Sequence, residues 1–313
     1  MTREQVLNSD SLKRRFIKDC NYPIALTDNP YFMERLVLMN RLDYRATEKF
    51  NNFCKMLENF ANEQEYFEYY NQMKEAMMED IKTSEGFKRF NETDFSHEKK
   101  FSKADLYKEY NDGKLFISID MRKANFNAVK HFDRSIFEAD TWDDFIMHYT
   151  MYMHLIDSKY IRQVVMGNCN PKHQIQYEDY LMNLLAEHIH NKFPALNIYS
   201  VHNDEIIIAA NDGKIGLSTR ELEDVLASEP NGIGELVKYE IFELHKIKGT
   251  DGWEKTIYTF SDPLIQFKCL EAETFNQYIK HYYGLPITEN DLVFRHNGKL
   301  AKFLKEVDNP WRI

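Results

Sequence analysis

The stretch KLFISIDMRKANFNAVKHF, residues 114–132, constrains this chain more than any other. Leu115 to Ile119 form an apolar run of strand formers that stops on a carboxylate, Asp120. The residues after it are basic and read as a helix. An ionised carboxylate ending a buried strand is costly unless donors or a positive charge meet it. Either Asp120 caps the helix that follows, a position Asp favours, or it waits for a cation.

Composition narrows the setting. With 313 residues the chain is long enough to bury a full core, and 14% aromatic residues with few Gly and Pro point to a compact, folded protein. Cys20, Cys54, Cys169 and Cys269 are far apart and form no C-x-x-C pair, which argues against a disulfide framework or a thiolate zinc site and fits a reducing cytoplasm. The longest apolar runs, such as IIIAA at 206–210, are too short to span a bilayer, so a cytoplasmic protein without a membrane partner is expected. The net charge of −10 repels polyanions at long range. Any nucleic-acid contact must then use local basic patches, bound cations or a partner protein.

Residues 1–110 read as a mostly helical region. Phe32, Leu36, Met39, Phe50, Phe53 and Leu57 recur at amphipathic spacings, while Arg35, Arg41, Arg45 and Lys49 occupy other positions, either as a solvated face or as an electropositive wall over a substrate. SHEKKFSKADLYKEYNDGK is a polar boundary ending in an Asp112-Gly113 turn. Residues 111–270 then run strand, helix, helix, hairpin, hairpin. TWDDFIMHYTMYMHLIDSKY and HQIQYEDYLMNLLAEHIHNKF are the helices, LNIYSVHNDEIIIAANDG is the first hairpin, and VKYEIFELHKI pairs with EKTIYTF across KGTDGW. This order predicts an α+β fold, an antiparallel sheet with helices on one face. Residues 271–313 complete it with a small helical region, FNQYIKHYYG and LAKFLKEV.

Three short motifs carry the chemistry. Asp120 ends the first strand, Asp204 and Glu205 sit at a hairpin tip, and between them RQVVMGNCNPKHQIQYEDYL places Gly167 and Pro171 before a long helix. Taken singly, each has a plain explanation as a cap, a turn or a helix entry. In this order they resemble the palm domain of template-directed polymerases, most closely reverse transcriptases and their relatives, over about residues 114–270. Asp120-Met121-Arg122-Lys123-Ala124-Asn125-Phe126 is similar to the first palm motif, Gly167 with Asn170-Pro171 to the second, and HNDEIIIA to the third. A lysine at Lys246 or Lys248 and the IQFKCL segment stand where the fourth and fifth would fall. VHNDEI also looks like the V-H-D-E of DNA polymerases related to bacterial repair polymerase I, but the gap between first and third motifs is far shorter here. The chain departs from the pattern in having Asp-Glu for Asp-Asp, Asn125 for the aromatic after the alanine, and no Gln directly before Gly167.

The resemblance implies a small reverse-transcriptase-like or phage-type polymerase that adds nucleotides to a 3′ end with two Mg²⁺ ions, Mn²⁺ serving as a substitute. Two ions about 3.5–4 Å apart stabilise the attacking and leaving oxygens, and hard oxygen ligands hold them. Asp120, Asp204 and Glu205, with the backbone carbonyl of Met121, are the implied ligands. Arg122, Lys123, Arg162 and Lys172 flank the motifs and suit the triphosphate. Lys246 or Lys248 would protonate the leaving pyrophosphate. Gly167 allows close approach of a substrate. Asn125 and Asn170 would hydrogen-bond a ribose hydroxyl, with Phe126 as the rival gate that excludes it. The implied partners are nucleoside triphosphates and a primer–template, together with a protein partner that offsets the acidic charge. The alternative is a catalytically inactive, palm-derived subunit that binds nucleic acid or protein.

Overall fold

The computed structural model describes residues 1–211, 213 and 216–312. The N-terminal region forms α1 (Arg3–Asn8), α2 (Asp10–Cys20), α3 (Tyr31–Met39), α4 (Ala46–Leu57), α5 (Glu63–Thr83) and α6 (Glu85–Glu92). The long α5 buries Tyr66, Tyr70, Met73, Met77 and Ile81, steps of three and four that keep one stripe on the core. All six apolar positions expected to face inward between Phe32 and Leu57 are buried. The basic residues among them form no wall over the cleft described below. Arg35 is buried and donates to the Val293 carbonyl at 2.7 Å, Arg41 lies over the Tyr283 ring, and Arg45 and Lys49 pair with Glu48 and Asp43.

From residue 114 the order is β1 (Lys114–Met121), α7 (Ala124–Phe132), α8 (Trp142–Met147), α9 (Met153–Ile156), α10 (Lys159–Gly167), α11 (Pro171–Lys192), β2 (Asn197–Val201), β3 (Glu205–Ala209), α12 (Thr219–Ala227), β4 (Val237–Lys246), β5 (Trp253–Tyr258) and β6 (Leu264–Lys268). The six strands form one antiparallel sheet in the order β2-β3-β1-β4-β5-β6. Within it, β1, β2–β3 and β4 with their intervening helices give the split β-α-β-β-α-β arrangement. The fold is therefore α+β, as the sequence pattern predicts.

Alternation along β1 sorts its side chains between two cores. Ile117, Ile119 and Met121 face the helices in a core that also holds residues from Val6 to Ile279, so the N-terminal, sheet and C-terminal regions share one interior. Phe116 faces the other way, into a smaller cluster with Ile207, Phe242, Leu244 and Trp253. By the same parity Ser118 and Asp120 belong to that second face.

Two stretches differ from their expected form. The segment expected as one helix over 141–160 breaks between α8 and α9, where the buried Thr150 hydroxyl accepts from the Tyr152 N–H at 3.2 Å, and Ser158 caps the separate α10. After α13 (Phe275–Tyr282), LAKFLKEV is not a helix. Its first residues lie in β8 (Lys299–Lys302), which pairs with β7 (Val293–His296). Asn297 and Gly298 both take positive φ, 48° and 77°, the geometry an Asn-Gly hairpin turn demands, and this turn overrides the helical spacing. Among the described residues no helix is long and apolar enough to cross a membrane.

Phe126 is fully buried against Phe137 and Trp142, with ring centroids 4.4 Å and 5.9 Å away. Phe126→Ala should therefore behave as a core truncation and destabilise the protein by about 3–5 kcal/mol in chemical denaturation. A loss below about 1 kcal/mol would mean that the ring is not packed there.

Candidate active site

The end of β1 explains what meets Asp120. Residue pairing sets Asp120 opposite Glu205 on β3 and opposite Lys238 on β4, and the Met121 N–H donates to the Asp204 carbonyl at 2.8 Å. Asp120 is not the cap of α7. Lys123 occupies that position in the left-handed region, φ 45°, and no side chain caps the helix. The strand carboxylate thus stands beside the hairpin carboxylate of Asp204, at the floor of a cleft of about 690 Å³, within the range of small-molecule sites.

One wall of the cleft is the β1–α7 turn, with Arg122, Lys123 and Asn125; the other is α10 and α11, with Lys159, Arg162, Gly167 and Glu178. Five cations (Arg122, Lys123, Lys159, Arg162, Lys238) face three carboxylates (Asp120, Glu178, Asp204), so the cleft is locally basic in an acidic chain. Lys123 is bound to Asp143 at 2.7 and 2.8 Å. Arg162 has no carboxylate partner among the described residues; its Nε donates to Asn125 Oδ1 at 3.2 Å, which leaves the outer guanidinium nitrogens to a ligand. Burial lowers its proton affinity, with Asp143 opposing from a distance. Gly167 ends α10, and a Cβ there would meet nothing within 4 Å, so the cleft stays open at that point.

The carboxylates are perturbed for distinct reasons. Burial pushes the Asp120 carboxyl up; Lys238, at 3.3 Å, pulls it back, and the Asp204 charge adds to the rise. Side chains 34% and 52% exposed make this Asp120–Lys238 pair a weak one, worth about 0–1 kcal/mol and displaceable. Glu205 does not line the cleft: its Oε1 accepts from the Ser118 hydroxyl at 2.5 Å, and its carboxyl is raised by burial and lowered by Ser118 and Lys255. Glu178 is pushed up to about 8 by burial and by Asp204.

The structure thus brings Asp120, Met121, Arg122, Lys123, Asn125, Arg162, Gly167 and Asp204 together, and leaves other expected residues outside. Phe126 is in the core. Asn170 takes a left-handed turn and donates to Asn91 at 2.8 Å, and Lys172 is exposed on the first turn of α11. Lys246 sits over the Trp253 ring, eight residues along β4 from Lys238, roughly 26 Å at strand rise, and Lys248 lies in the turn beyond. The lysine beside the carboxylates is Lys238. Sequence reasoning missed it along with Lys159 and Glu178; the last shares one helix face with Pro171 and Ile175, a spacing that anchors it to the cleft.

The donor set suits a hard divalent cation, since Asp120 at the end of β1 and Asp204 in the adjacent β2–β3 turn offer carboxylate oxygens. Among the described residues no three His, Cys, Asp or Glu side chains converge closely enough to hold one ion directly. The chain matches no protein-family model, no curated protein and no solved structure.

The raised affinity of Glu178 has a defined sign in stability. Its folded value lies above the ordinary 4.5, so its contribution is present below about pH 4.5 and is lost as pH rises towards 8. Glu178→Gln is neutral throughout and escapes that loss. In chelator, its melting temperature relative to wild type should climb between pH 5 and pH 9; a flat difference would show that the carboxyl ionises freely.

Proposed function

We propose that this chain is a palm-type nucleotidyltransferase that joins nucleoside triphosphates to a nucleic-acid 3′ end with Mg²⁺, or with Mn²⁺ in its place. The observation that carries this reading is the pair Asp120 and Asp204, set side by side on strands β1 and the β2–β3 hairpin beneath a cation-walled cleft. In the reaction a 3′ oxygen bonds to the α-phosphorus as the bond to the pyrophosphate oxygen breaks. Divalent ions supply charge stabilisation to both oxygens in such a displacement. Asp120 and Asp204 would hold them, with the Met121 backbone at the cleft edge.

The chain's own cations do the rest. Arg162, aimed by Asn125, and the exposed Arg122 and Lys159 suit the anionic triphosphate. Because the Asn125 carbonyl is committed to Arg162, its amide NH₂ is left to meet a sugar hydroxyl, and with Phe126 in the core no ring opposes ribose there. The Asp120–Lys238 ion pair favours a second reading, an inactive palm-derived binding subunit in which lysine permanently replaces the metal.

Incorporation of labelled nucleotides separates the two. Asp120→Asn and Asp204→Asn should each lower it by at least about 10³-fold, the effect of several kcal/mol of lost charge stabilisation. Melting temperature should move by no more than about 2–4 °C, because neither residue caps a helix and the one ion pair lost is weak. Wild-type rates in either variant would sink the catalytic reading.

A further inference from the structure

We propose that Glu178, rather than Glu205, is the third carboxylate of the divalent-cation site, acting on the ion through one of its bound waters. This rests on the metal-dependent reading above. Glu178 is only 6% exposed, yet it lines the cleft opposite Asp120 and Asp204. Among the described residues its carboxyl is shifted by burial and the Asp204 charge alone, with no hydrogen-bond donor and no cation. A buried carboxylate without a protein donor is costly to ionise, and an ion-bound water in the cleft would be a donor that lets it do so. The amide one turn earlier on α11 does not supply it, since Gln174 Nε2 is committed to the Met166 and Cys169 carbonyls.

Glu205 is in the opposite situation. Ser118 already donates to it, and although it shares a sheet face with Asp120 its carboxylate does not line the cleft. Among the described residues no three His, Cys, Asp or Glu side chains form a direct cage, so Glu178 would act through water rather than as a direct ligand. Mg²⁺ keeps several of its waters, and each is a donor that a carboxylate can accept from. Glu178 would orient such a water from the α11 wall while Asp120 and Asp204 bind the ion from the floor.

The test is Mn²⁺ binding to the full chain without nucleotide, followed by the loss of the free-ion paramagnetic resonance signal. Glu178→Gln should weaken Mn²⁺ by about 10–100-fold, the usual effect of losing an outer-shell partner, with Glu205→Gln within about twofold of wild type. Glu178→Asp, which keeps the charge but retracts it by one methylene, should fall between, and it keeps the test open if the Gln variant fails to fold. Unchanged affinity in both Glu178 variants, or a matching loss in Glu205→Gln, would overturn the inference. Mn²⁺ binding that needs Asp120, Asp204 and Glu178 in a protein that incorporates no nucleotide would support it and sink the polymerase reading. Incorporation that survives Glu178→Gln with unchanged Mn²⁺ affinity would do the reverse. Failure of the wild type to bind Mn²⁺ would overturn both.

Discussion

The antiparallel pairing of β1 with β3 is the constraint from which the rest of the site follows. Its register sets Asp120 against Glu205, and the Met121 N–H bond to the Asp204 carbonyl closes the ladder at the hairpin. A slip of one residue would turn Asp120 into the helix-facing core and bring Ile119 to the cleft. Ile117, Ile119, Ile206 and Ile208, buried on the helix side, hold the register by making such a slip expensive.

The electrostatics are local. A chain of net charge −10 gathers five cations around three carboxylates in one cleft. Placed within a few ångströms of a bound phosphate, those cations outweigh a diffuse surface charge that salt screens beyond roughly 8–10 Å. The Asp120–Lys238 pair is half-exposed and weak enough to yield to a divalent ion. Lys238 tempers the repulsion between Asp120 and Asp204.

What the sequence revealed was chiefly what is local. The strand ending on Asp120, the hairpin bearing Asp204 and the long helix from Pro171 are written in apolar periodicity and turn residues, and the α+β layer follows from their order. Lys238 was hidden because its place depends on a cross-strand partner more than a hundred residues earlier, and nothing in VKYEIFE marks it apart from Lys246 on the same strand. Glu178 was hidden in a helix whose dominant signal is its buried apolar face. Asn125 and Phe126 are neighbours in a helix, so their side chains diverge by about 100°, which places one in the cleft and the other in the core. The spacing in LAKFLKEV misled because one Asn-Gly turn, just upstream, commits the chain to a hairpin.

The most direct measurement of the central claim is a crystal structure of the protein soaked in Mn²⁺ with a non-hydrolysable nucleoside triphosphate, with the metal located by anomalous scattering. The account predicts two anomalous peaks ligated by Asp120 and Asp204, the triphosphate against Arg162, and Lys238 released from Asp120. An intact Asp120–Lys238 pair with no metal peak in the cleft would contradict it.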